Sequence, residues 1–155
     1  MKLTDYMTIK NIKIGLLGKE KKEIIGELLD IAESVSPGLN RAEALEGLRK
    51  RERVGSTGVG KGVAIPHTGI KNCSRILPVI ALSEQGLNYE SLDGKPVRLF
   101  FMIIYPENEI KMQLKFLARV SRLLRNENLR ESLMASSSPE EIMDILIKYE
   151  SEHFT

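Results

Sequence analysis

The sequence predicts an α/β fold, a single-domain sandwich in which helices flank a mixed parallel and antiparallel sheet. Three observations carry that expectation. Apolar residues recur at helical spacing near both ends of the chain, β-rich apolar runs occupy its middle, and no linker, repeat or low-complexity tract separates the two. One sheet covered by helices is then the simplest way to bury every apolar face.

Residues 11–17 mix β-branched and polar side chains and read as a first strand. Residues 19–35 place Ile24, Ile25, Leu28, Leu29, Ala32 and Val35 on one helical stripe, and Pro37 and Gly38 end it. Asn40 followed by Glu43 is a capping signal for a second helix over residues 41–51, which delivers Arg51 to a glycine-rich loop. Residues 63–65, 76–82 and 97–105 are strand-like runs, separated by Gly86 and by the Asp93-Gly94 turn signal, with Pro96 before the last. Phe100, Phe101 and Met102 in that last run read as core. Beyond it, Ile110, Leu114, Leu117, Val120 and Leu124 recur with helical period, a further piece covers residues 129–134, and Ser138-Pro139-Glu140-Glu141 opens a final helix carrying Ile142, Ile145 and Leu146.

Composition narrows the class. With 155 residues, the chain needs neither metal nor disulfide to bury a core. Its apolar runs fall far short of the ~20 residues of a membrane span. The N-terminus lacks a secretory pattern and Cys73 stands alone, so the expected compartment is the cytoplasm and Cys73 reads as a free thiol. Twenty-three basic and 21 acidic residues leave a net charge of +2. Arg49 to Arg53 is locally basic but has no interleaved aromatics, which argues against nucleic acid as a partner. His153, close to the end, reads as part of a tail.

The chemistry concentrates in residues 55–67, GSTGVGKGVAIPH. Gly55, Gly60 and Lys61 satisfy part of a phosphate-binding P-loop pattern, but position 62 is glycine, where a P-loop needs the hydroxyl that holds Mg²⁺. The segment also follows a helix and precedes a strand, the reverse of the P-loop context. His67 is the remaining candidate. Imidazole is substantially neutral near pH 7 and nucleophilic, so it can accept and release a phosphoryl group.

Glu52-x6-Val59-Gly60-x2-Val63-Ala64-Ile65-Pro66-His67 closely resembles the phosphorylation-site signature of the fructose/mannitol class of enzyme IIA domains of the sugar phosphotransferase system. The run Gly55-Ser56-Thr57-Gly58-Val59-Gly60 before it is most similar to the nitrogen-related regulatory branch. The resemblance implies an enzyme IIA-like domain over residues 1–150, with residues 151–155 a flexible tail. It implies a phosphotransferase component that works through phosphohistidine, without a cofactor or metal. His67 is then the phosphoryl acceptor, attacking through Nε2, and Arg51 matches the family's active-site arginine. Ser56, Thr57 and Thr68 offer hydroxyl donors for the phosphoryl group. The implied partners are a histidine-containing phosphocarrier protein and either a regulatory target or a separate IIB protein, with no membrane or nucleic acid.

Two departures from the family pattern stand out. Thr68 follows His67 where the signature has a small residue, so its hydroxyl either bonds the phosphoryl group or narrows access. Gln113 matches the position of the family's second active-site histidine, and glutamine cannot become cationic. More of the stabilisation would fall to Arg51, with Lys111 and Lys115 nearby. Two alternatives remain open: a sugar-specific IIA subunit, and a binding module of the same fold that is not phosphorylated.

Overall fold

The computed structural model describes residues 2–154. In chain order its elements are β1 (Ile12–Ile14), α1 (Lys21–Val35), α2 (Arg41–Val54), β2 (Gly58–Gly60), β3 (Val63–Ala64), β4 (His67–Ile70), β5 (Leu77–Leu87), β6 (Val97–Pro106), α3 (Ile110–Leu124), α4 (Glu127–Met134) and α5 (Pro139–His153). The sheet runs β1-β5-β6-β3-β2, with β4 also on β6. β5 is antiparallel to β6, whereas β1 pairs in parallel with β5, and β3 and β4 in parallel with β6. This is the mixed sandwich that the sequence predicts.

β6 is buried on both faces, which is why VRLFFMIIYP reads as an unbroken apolar run. One face carries Leu99, Phe101 and Ile103 against Phe116 and Val120 of α3, Leu133 of α4 and Leu146 of α5. The other carries Phe100, Met102 and Ile104 against Ile24 and Leu28 of α1 and Leu48 of α2. The caps form as their residue types dictate. Asn40 accepts from Glu43 N at 3.1 Å, and Ser138 accepts from Glu141 N with Pro139 in the first turn.

Several expected boundaries move. The first strand shrinks from residues 11–17 to Ile12–Ile14, because Asn11 donates its side-chain amide to Pro78 O and Gly15 turns the chain at φ 84°. Gly86 lies inside β5 rather than beyond it, at φ 79°, where the register against β6 shifts between Leu82 and Leu87. α2 continues one turn past Arg51, to Val54. The final helix takes in Ser151 to His153, residues that the sequence left to a tail. The His153 ring stacks on Tyr149 at 4.0 Å between centroids.

The most consequential feature is the break between β3 and β4. Both lie along the same side of β6, β3 against Leu99 and Phe100 and β4 against residues 103–106. Pro66 interrupts them because it has no N–H for the ladder, although its carbonyl still accepts from Ile103 N at 2.9 Å. His67 is the first residue after the break.

Candidate functional site

His67 is half-buried. Its Nδ1 lies 2.9 Å from Ile65 O, a carbonyl that can only accept, so Nδ1 carries the proton and Nε2 keeps its lone pair. Burial pushes the imidazole pKa below its ordinary value, and the positive charge of Arg51 pushes the same way, against the Ile65 carbonyl and Glu52. The ring is therefore neutral near pH 7, with one nitrogen tied down and the other available.

Arg51 comes from the last turns of α2, where Nη1 donates to Gly55 O at 2.8 Å. That bond leaves most of the guanidinium's donors uncommitted. Its charge acts on Tyr105 as well as on His67. Tyr105 stands opposite Gly69 in the parallel β4–β6 register, on the same face as His67 and Ile103. Burial raises the pKa of the Tyr105 hydroxyl, and the Gln113 side chain, facing it from the first turns of α3, lowers it. The fold thus gathers Arg51, His67, Tyr105 and Gln113 at one end of the sheet. Lys111 and Lys115 are exposed on the same helix.

The three expected hydroxyl donors are employed otherwise. Ser56 Oγ donates to Tyr89 O at 2.9 Å, and its lone pair accepts from Gly58 N at 3.0 Å. Thr57 Oγ1 donates to Glu52, and Thr57 is 2% exposed. Each hydroxyl has one proton, and both protons are spent tying the loop to its surroundings, at Tyr89 and at Glu52 of α2. Thr68 is next to His67 in sequence but points to the opposite face of β4, as alternate strand residues must. It packs so closely on α2 that a Cβ at Gly47 would collide with its Oγ1. Its hydroxyl donates to Gly69 O at 3.3 Å, facing away from the His67 ring. Thr68 secures β4 against α2.

Glu52 opens the signature, and only the fold shows what its carboxylate does. Its carboxylate accepts from Thr57 N at 3.2 and 3.1 Å, from Thr57 Oγ1 and from Tyr89 OH at 2.9 Å, and pairs with Lys21 Nζ at 3.2 Å. Tyr89 is fully buried, its phenol held protonated by burial and by the Glu52 charge. Lys21 Nζ lies 4.4 Å from the centre of the Tyr89 ring. A second clamp holds the tip of the loop, with Ser91 Oγ accepting from Gly60 N and Asp93 from Lys61 N. Residues 58–64 form a β2–β3 hairpin where the sequence suggested only a loop before residue 63. Gly60, Lys61 and Gly62 take positive φ at its turn. Cys73 is a free thiol whose pKa burial raises, the opposite of activation.

Residues 5–149 match the family described as "Phosphoenolpyruvate-dependent sugar phosphotransferase system, EIIA 2", and the chain belongs to that family. It is 38% identical over 152 residues to the "PTS system fructose-specific EIIABC component" of Bacillus subtilis, a match covering 97% of this chain and 24% of that protein. It is 36% identical over 146 residues to the "Nitrogen regulatory protein" of Bradyrhizobium diazoefficiens, covering 94% and 95% respectively. Among solved structures, nitrogen regulatory protein IIA-Ntr from Neisseria meningitidis superposes with a TM-score of 0.86 at 32% identity, over 93% of this chain and 98% of that one. No helix among the described residues is long and apolar enough to cross a membrane.

Proposed function

We propose that this IIA domain accepts a phosphoryl group on His67 Nε2 from the phosphohistidine of a small phosphocarrier protein and serves as a regulator of the nitrogen-related kind. The observation that carries the reading is the Nδ1 bond to Ile65 O in a neutral ring beside Arg51. In the transfer, the Nε2 lone pair forms a bond to phosphorus as the donor's N–P bond breaks, its electron pair returning to the donor ring. The transition state is loose and in line, with charge spread over three oxygens. Arg51 supplies a planar, permanently charged fork for those oxygens. The bond to phosphorus makes the ring an imidazolium whose Nδ1–H stays on Ile65 O, the positive charge left by the spent lone pair being offset by the phosphoryl oxygens, so acceptance needs no change of tautomer. Ile110 and Leu114 on α3, 62% and 61% exposed, supply apolar surface near Gln113 for a protein donor.

The similarity to the B. subtilis fructose-specific protein supports a second reading, in which phosphate passes on to a separate IIB protein. One experiment addresses the common step. The protein is incubated with phosphoenolpyruvate and a reconstituted general phosphocarrier pair, and intact mass is followed. A single added phosphate, labile in acid and stable in base and absent from His67→Ala, is the expected result. Unchanged labelling of His67→Ala would refute the assignment.

A further inference from the structure

A cleft of about 400 Å³ opens between α1 and α2, away from the His67 ring. Ile25 and Leu45 give it an apolar floor, and Lys21, Lys22, Arg49 and Arg53 surround it, against the carboxylates of Glu52 and Glu90. Glu52 is already taken by Lys21, Thr57 and Tyr89. Lys22, Arg49 and Arg53 take part in no ion pair among the described residues. Arg49 and Arg53 are four apart on α2, and Lys21 and Lys22 occupy the first turn of α1, whose helix dipole adds further positive potential. Like charges at this spacing repel, and their gathering over an apolar floor is relieved by an anion.

We propose that this cleft binds a small organic phosphate with an apolar body, and that its occupancy is felt at Thr57 through Lys21 and Glu52. The volume suits a small ligand. The two guanidinium forks and two ammonium groups offer more donors than a single carboxylate can engage, which favours a phosphate dianion. The relay is the set of contacts that Lys21 makes. Its ammonium, a wall of the cleft, holds Glu52 Oε2, and Glu52 in turn holds the backbone and hydroxyl of Thr57 in the loop that leads to His67. An anion that draws Lys21 towards itself loosens the ion pair and shifts the load on Thr57.

The test is an amide NMR titration of the intact protein at low ionic strength with phenyl phosphate, inorganic phosphate and benzyl alcohol as probes. Phenyl phosphate is expected to give saturable shifts at Lys22, Arg49, Arg53 and Thr57, with inorganic phosphate about tenfold weaker and benzyl alcohol silent. Arg49→Gln with Arg53→Gln, both exposed positions, is expected to weaken binding at least ~tenfold. Lys21→Met is expected to keep the shift at Arg53 and lose the one at Thr57. Shifts that fail to saturate, or that survive the double glutamine variant, overturn the site. A Thr57 shift that persists in Lys21→Met overturns the relay. None of these readouts requires phosphorylation of His67.

Discussion

Replacing Glu52 by glutamine preserves the side chain's shape and removes its charge, which isolates the carboxylate's role in holding the loop. In the native fold that carboxylate receives the Thr57 N–H, the Thr57 hydroxyl and the Tyr89 hydroxyl, and pairs with Lys21. A glutamine has one acceptor oxygen and one NH2 group, so some of these donors must face another donor. Hydrogen bonds to a charged acceptor are worth ~1.5–3 kcal/mol against ~0.5–1.5 for neutral ones, so downgrading two of them costs about 2–3 kcal/mol. The ion pair is largely shielded, with the Lys21 and Glu52 side chains 23% and 9% exposed, so stripping Lys21 of its counter-charge adds to that loss. For a chain of this size a loss of about 3 kcal/mol lowers Tm by roughly 6–12 °C. Thermal and urea unfolding of Glu52→Gln, Tyr89→Phe and the double variant measure it. The two substitutions share one bond, so their effects should fall short of additive by about 1 kcal/mol. A Glu52→Gln protein within ~0.5 kcal/mol of the parent, or strictly additive singles, would refute the argument that this carboxylate organises the loop.

Arg51→Ala should slow labelling of His67 by about 2–4 kcal/mol of transition-state stabilisation, roughly 30- to 800-fold, while leaving the urea midpoint nearly unmoved; equal labelling rates exclude the role. Gln113→His should slow hydrolysis of phospho-His67 only while the new imidazole is cationic, fading as pH rises through roughly 6.5; hydrolysis rates that match the parent's at every pH place residue 113 outside the site. Gly47→Ala should destabilise by about 1–3 kcal/mol, against alanine's usual helical advantage, because its Cβ meets Thr68 Oγ1, and Thr68→Ala in the same chain should recover most of that loss on denaturant unfolding. The His67 pKa is depressed in the fold, so the unfolded chain takes up its proton first; the contribution is intact above about 6.5 and is lost as pH falls from there through the folded value. His67→Gln should flatten the slope of unfolding free energy against pH in that window.

Local chemistry in the chain determined a good deal of this protein. The helical stripe of α1, the Asn40 and Ser138 caps and the doubly buried run of β6 are written in short-range patterns, because periodicity and capping depend on neighbours within a few residues. The run ending at Ile65 was legible too, but its resumption at His67 as β4 was not, because Pro66 closes the apolar pattern and only pairing with β6 restores the strand. What the tertiary structure decided was which groups those residues meet. Tyr89 reaches Glu52 across 37 residues, and Tyr105 joins His67 only through the β4–β6 register. No local pattern announces such partners. The same register turns Thr68 away from its neighbour and onto Gly47. Ser56 and Thr57 look like free donors until the loop folds, whereupon their protons go to the Tyr89 carbonyl and to Glu52. A side chain's type follows from its codon, but its hydrogen-bond partner follows from which strands lie side by side, and pairings between distant segments set that order.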